Sequence, residues 1–396
     1  MYNTKFILKN GREIYPGYLD NQARQAIRNK FNSSHGYMRC GCRPDAELFY
    51  RISEDLKIYP EHKNYQHDVF CCRYKNPNGE NKRRTAYIIS EESGDVTVYT
   101  SFDPCSHTQT STEPKEQDNE VSEDENENIE EIVVEHSDET IGGKSQSKEP
   151  NLSLNDLIRS INVDVFTERI LNGKTIDSKE KFSVAVFHRM KKIRLVRARR
   201  HIGDLTLEKD GCKFIYLPFA GVKYKEENGV KRSYLQTKAQ DGKAYNNFIF
   251  PETMTKAMKE FAKSYGIEPD DNTMVAGFQY LKKSKGGGQY KVIGRLHIFQ
   301  VSDIGIYCRN TIEQKAYNDL EAISKKNSDI TYWIPPEDGS VGAIVDIKEK
   351  RKKVLIVFRN NKDERIAYDK SIYTPLVIDS NLSISEELLY ELAERE

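Results

Sequence analysis

Cysteine is scarce in this chain, with seven in 396 residues. An odd number does not suit a complete disulfide framework. No apolar run approaches the ~18 residues needed to cross a bilayer, so no membrane is expected. The opening residues, MYNTKFILKNGREIYPG, lack the apolar core of a secretory leader. A reducing cytoplasm is therefore the expected setting. Net charge is also absent: 61 Lys and Arg offset 61 Asp and Glu. No internal repeat is visible. What remains is a polar chain, 37% hydrophobic, long enough for two or three domains.

The zero net charge hides an asymmetry. Residues 113–139 hold thirteen acids and one lysine, leaving 60 Lys and Arg against 48 Asp and Glu elsewhere. The rest of the chain thus carries an excess of +12, which favours an anionic partner, nucleic acid first and DNA before RNA. Solubility is the competing explanation. The segment 106–150 is rich in Ser, Thr, Glu, Asp and Asn and nearly free of aromatics. It reads as a disordered acidic linker, because it cannot bury enough apolar surface to offset its ordering entropy.

Four of the seven cysteines fall within 33 residues, as Cys40, Cys42, Cys71 and Cys72. Cys40-x-Cys42 is followed after twenty-four residues by His67-x₃-Cys71. Three thiolates and an imidazole on two short clips suit a tetrahedral Cys₃His zinc shell. Four protein ligands leave no open position for water, so such a site is structural. Cys72 and His62 are alternative ligands, and a disulfide clip or unrelated free thiols are the competing readings.

The linker divides 1–105, a small β-rich zinc module, from 151–396. In the front module, hairpins are expected at KFILKNGREI, turning at Asn10-Gly11, and at AYIISEESGDVTVYTSF. Residues 151–300 read as an α+β region. The spacing predicts helices at 153–170, about 179–200 and 251–265, a strand at KFIYLPF, and a long hairpin around Gly286-Gly287-Gly288. The second helix would present a basic face of Arg189, Lys191, Lys192, Arg194, Arg197, Arg199 and Arg200 to phosphates. Lys282, Lys283, Lys285 and Lys291 form a second patch at the hairpin. A solvated surface is the bland alternative for both.

Residues 301–396 read as helix, three strands, helix, strand, helix. The first six follow the αβββαβ order of the restriction-endonuclease-like core. That fold places an acid on the second strand and Glu-x-Lys on the third around Mg²⁺. Asp346 stands where the first acid belongs. Glu313 and Glu321 on the preceding helix can supply a second carboxylate, and Lys370 the lysine. The third strand has Ile356-Val357-Phe358 in place of the charged pair, which favours fold over catalysis.

The Cys40-Gly41-Cys42-Arg43 and His67…Cys71 segments, the helix LNDLIRSINVDVF and the Glu313–Pro336 stretch resemble an uncharacterised bacterial protein family of plasmids and integrated mobile elements. The resemblance spans most of the chain outside 106–150. It implies a zinc-binding, nuclease-fold accessory protein of mobile DNA, without an established activity. Relatives are expected to carry a glutamate on the third strand, in a Glu-Val-aromatic-Gly sequence that this chain lacks. The expectation is thus an α+β nucleic-acid-associated protein with structural zinc and no catalysis. A Mg²⁺-dependent nuclease and a protein-interaction scaffold are the alternatives.

Overall fold

The computed structural model of the protein describes residues 6–14, 21–31, 38–43, 46–62, 65, 67–68, 71, 86–90, 94–105, 151–171, 176–227, 230–238, 243–283, 288–335, 341–350, 352–358, 368–379 and 382–395. The acidic segment 106–150 lies outside them, as do Cys72, Lys285 and Gly286-Gly287. Residues 1–105 and 150–396 form one compact unit of α+β architecture, with four sheets among the described residues.

The first sheet is antiparallel, in the order β2-β1-β3-β4-β5. Its strands are β1 (Phe6–Leu8), β2 (Glu13–Ile14), β3 (Met38–Cys40), β4 (Phe49–Ile52) and β5 (Ile58–Pro60). Asn10-Gly11 makes the first turn as its sequence suggests. Gly11 has φ +79°, a left-handed conformation that costs glycine little. Helix α1 (Asn21–Phe31) buries Arg24, Ile27 and Phe31, and Arg24 Nη1 donates to the Leu56 carbonyl at 3.0 Å. The sheet's core is thin: eleven buried apolar side chains among the described residues, two of them Cys40 and Cys71.

The second sheet joins chain from both sides of the acidic segment. Strands β6 (Tyr87–Ile89) and β7 (Val96–Val98) precede it. Helices α2 (Leu154–Leu171) and α3 (Lys179–Met190) and strands β8 (Ile193–Leu195) and β9 (Arg200–His201) follow it. The order is β6-β7-β8-β9, with β7 and β8 parallel. Residues 86–105, read above as the end of the front module, therefore add Tyr87, Val96, Val98 and Phe102 to the large core of the later chain. Helix α2 starts at a capping box: Ser153 Oγ accepts from Asp156 N and donates to Asp156 Oδ2. The helix expected over 179–200 ends at Met190. Beyond it, Ile193 and Leu195 are buried while Arg194 and Val196 face solvent. That period of two belongs to a strand, and β7, from before the acidic segment, supplies its partner.

Helix α4 (Leu207–Asp210) leads into the third sheet, which holds the expected KFIYLPF strand and long hairpin together with strands the sequence reading did not give. Its strands are β10 (Cys212–Glu227), β11 (Val230–Lys238), β12 (Ala244–Ile249), β13 (Thr273–Lys283), β14 (Gln289–Val301) and β15 (Tyr307–Cys308). The order is β12-β11-β10-β13-β14-β15, and β12 also pairs parallel with β14 at Ile249 and Ile293. The first five strands so close into a barrel. Helix α5 (Pro251–Tyr265) sits between its third and fourth strands and buries Met254, Ala257, Phe261 and Tyr265. A five-stranded Greek-key barrel of this connectivity is the OB-fold. Curvature comes from register shifts at Phe219/Gly221 and Phe278/Gln279. At Gly277 a side chain would fall on the Arg295 carbonyl of the neighbouring strand.

The fourth sheet has the order β16-β17-β18-β19, from β16 (Ile330–Trp333), β17 (Val341–Ile347), β18 (Lys353–Phe358) and β19 (Tyr373–Ile378). The last pair is parallel and the others antiparallel. Helix α6 (Thr311–Lys326) precedes it, and α7 (Glu386–Glu394), capped by Ser385, follows. The helix expected to start at Asp363, between β18 and β19, begins at 363–367, outside the described residues. Lys370, expected on that helix, lies in an exposed turn. There Asp369 accepts backbone hydrogen bonds from Ile372 and Tyr373. No helix among the described residues is long and apolar enough to cross a membrane.

Candidate functional site

Strand β3 and the turn after it present Cys40 and Cys42, and His67 and Cys71 lie against them. The Cys40 and Cys71 Sγ atoms are 3.8 Å apart. His67 Nδ1 lies 3.4 Å from Cys42 Sγ and 3.6 Å from Cys71 Sγ. All four donor atoms lie within 4.8 Å of one another, and the group can hold a metal ion. Every cysteine among the described residues is a free thiol. Contacts with Cys40, then Cys71, push the Cys42 thiol well above its usual range. Such crowding of would-be thiolates is what a bound cation relieves. His62 is exposed and stands edge-on to Tyr65 rather than in the cluster.

The surroundings hold this group in place. His67 Nε2 is 2.8 Å from Tyr50 Oη on the buried face of β4. Next in the chain, buried Asp68 accepts a 3.0 Å hydrogen bond from Tyr373 Oη at the start of β19. Burial first, and Asp68 second, push the Tyr373 hydroxyl well above its usual range, so it stays a donor. The loop carrying two of the four ligands is thereby tied to the fourth sheet.

The acids expected around Mg²⁺ are not brought together in the same way. Glu321 takes both guanidinium nitrogens of Arg169, at 2.7 and 3.1 Å, and a hydrogen bond from Tyr332 Oη at 3.0 Å. It ties α6 to α2 and β16. Glu313 is buried and accepts from Arg309 through both its backbone N, at 2.7 Å, and its guanidinium. Asp346 is partly exposed on β17 and pairs with Lys353 Nζ at 3.1 Å. Among the described residues, none of these carboxylates joins a group of three or more metal donors. On β18, Ile356, Val357 and Phe358 are all buried, so no carboxylate faces Asp346 from the position the nuclease pattern requires.

The basic segment is divided. Arg189 is 4% exposed, its Nε 2.7 Å from Asp164 Oδ2 and its Nη1 2.9 Å from the Gly94 carbonyl. It joins α3 to α2 and to the β6–β7 turn, and is not offered to a ligand. Lys191, Lys192, Arg194, Arg197, Arg199 and Arg200 remain exposed around β8 and β9. Arg200 lies 3.5 Å from Asp210.

The barrel adds a feature that spacing alone did not disclose. On the outer face of β11 and β12, Tyr234 and Phe248 pack at 5.9 Å between ring centroids. Phe248 also meets Phe250 at 5.6 Å and, across the seam to β14, Tyr290 at 6.0 Å. Lys225 Nζ stands 5.6 Å from the Tyr234 ring centroid, and Lys282 Nζ 5.2 Å from that of Phe250. Lys223 faces Tyr234 across the β10–β11 ladder, and Lys225 faces Arg232. The four rings are partly exposed. Of the four, only Tyr290 falls in an expected strand, and the register that lines the rings up is a tertiary property.

No protein-family model matches the chain, and no curated protein does. Among solved structures it is similar to the mitochondrial single-stranded DNA binding protein of S. cerevisiae, with 12% identity over 23% of this chain and 94% of that one. The TM-score is 0.15, too low for the likeness to bear on fold or function.

Proposed function

We propose that the protein binds single-stranded nucleic acid along the outer β11–β12 face of its barrel, and that Cys40, Cys42, His67 and Cys71 hold a structural zinc ion. The observation that carries the first part is the strip of Tyr234, Phe248, Phe250 and Tyr290 with Lys225 and Lys282 against its rings. Unpaired bases expose π-faces that stack on aromatic rings, and lysines beside those rings neutralise the backbone. Duplex DNA keeps its bases stacked and offers this strip only phosphates. The strip occupies the face that OB barrels use for oligonucleotides.

For zinc, the support is metric. A tetrahedral ion with ~2.3 Å bonds to sulfur and ~2.0–2.1 Å bonds to nitrogen requires S···S edges of about 3.8 Å and S···N edges of about 3.5 Å. Three of the six edges, at 3.8, 3.4 and 3.6 Å, agree, and all four donor atoms lie within 4.8 Å of one another. With Nδ1 on the ion, His67 donates Nε2–H to Tyr50 Oη, the outer partner that fixes its tautomer. Four protein ligands close the shell, so the ion organises a thin-cored sheet rather than activating water.

The test is a titration of labelled single-stranded and duplex oligonucleotides at two salt concentrations. Single strands are expected to bind more tightly than duplex, with affinity falling steeply as salt rises. Phe248→Ala should weaken single-strand binding about 5- to 150-fold, the range for loss of one stacked base. Failure to bind either single-stranded DNA or RNA at low salt would sink the proposal.

A further inference from the structure

We propose that Cys105 and Cys212 are a modification site: a dithiol that closes to a reversible disulfide and fastens residues 102–105 to the first strand of the barrel. Their Sγ atoms lie 3.2 Å apart across 107 positions of sequence. Neither belongs to the metal cluster, and the nucleic-acid reading does not use them.

Both sulfurs are held by framework that does not depend on a bond between them. Cys212 opens β10 opposite Tyr280, and Leu281 N donates to the Gly211 carbonyl at 3.0 Å. On the other side, Phe102 packs edge-on against Phe278 at 5.7 Å, with the Arg295 guanidinium 5.0 Å from its ring centroid. Asp103 Oδ1 accepts from Cys105 N at 2.9 Å. The sulfurs need approach by only about 1 Å to reach the ~2 Å of an S–S bond.

The chemistry follows from exposure. Cys212 is fully buried and Cys105 partly open, so Cys105 is the entry point. Its thiolate attacks a low-molecular-weight disulfide such as oxidised glutathione, forming a mixed disulfide and releasing one glutathione thiolate. The Cys212 thiolate then attacks Cys105 Sγ and releases the second. Two protein thiols are oxidised, one glutathione disulfide is reduced, and the two protons pass to the departing thiolates. Burial raises both thiols above their ordinary range. Thiolate is therefore scarce at neutral pH and exchange is slow, which suits a conditional lock rather than a catalytic dithiol.

The full-length, zinc-saturated chain is equilibrated in glutathione buffers of rising oxidised fraction, its remaining thiols are blocked, and it is mapped as unreduced peptides. The expected product is a Cys105–Cys212 cross-linked peptide, lost on adding dithiothreitol, with faster migration in non-reducing electrophoresis. Cys105→Ser and Cys105→Ala should both lose the cross-link and the migration shift. The proposal is overturned if wild-type Cys105 and Cys212 are recovered as separately blocked thiols, or as separate glutathione adducts.

Discussion

At the residue scale, the zinc proposal makes each ligand a separate test. Elemental analysis should find about one zinc per chain, lost in Cys40→Ser and in Cys71→Ser. Zinc retained in both would reject the assigned shell. Tyr50→Phe removes only the hydroxyl beside His67 Nε2 and should weaken metal affinity roughly 10- to 100-fold in a chelator competition. His297 offers a pH test. It lies on β14, 3.2 Å from Tyr307 Oη and stacked on Phe299, and burial pushes it down to about 4. The unfolded chain takes up this proton near pH 6.5, the fold only near 4. Stability is therefore full above ~6.5 and falls as pH drops towards 4, by about 3 kcal/mol. His297→Gln should flatten the urea midpoint over that window. The difference between the two curves separates His297 from the metal centre, which also loses ligands to protons.

At the scale of elements, the barrel depends on close approach of β13 and β14. Gly277→Ala places a methyl group on the Arg295 carbonyl. Backbone in a ladder cannot yield as a flexible side chain can, so the cost should be roughly 3 kcal/mol or more. A denaturant melt unchanged from wild type would contradict this packing. The same elements show how legible the chain is. Helix α5 starts at Pro251, as the expected helix at 251–265 has it. Helix α7 starts after Ser385 for local reasons. The basic segment misled because seven cations in fourteen residues look alike on a helix and on a strand. The parallel partner β7, supplied from beyond the acidic segment, decided for a strand. Arg189 was misassigned for a related reason: its partner Asp164 sits on another helix.

At the scale of the molecule, the acidic segment interrupts a fold that is continuous on both sides of it. Ser101 N donates to the Leu152 carbonyl and Leu152 N to the Tyr99 carbonyl, both at 2.9 Å. The two ends of the gap are thus already neighbours. Replacing 107–149 by a short Gly-Ser linker should leave the melting temperature within a few degrees of wild type. Residues 151–396 expressed alone should melt well below the full chain, because β8 loses β7 and the large core loses Val96, Val98 and Phe102. Equal melting temperatures for that fragment and the full chain would show the sheet is not shared.

The sequence alone determined whatever is local or chemically specific. It marked the Cys/His clips, because soft ligands at short spacing carry meaning wherever the chain goes. It marked the capped helices and Gly turns, because those depend on neighbours a few residues apart. It also showed the missing charged pair on β18. Only the tertiary structure closed the barrel through Ile249 and Ile293 and lined up Tyr234, Phe248 and Tyr290 from β11, β12 and β14 with Phe250 at the N-cap of α5. It alone paired Glu321 with Arg169 and brought Cys105 to Cys212. Each of these is a pairing between distant segments, set by strand register and mutual burial, and sequence spacing holds no record of it.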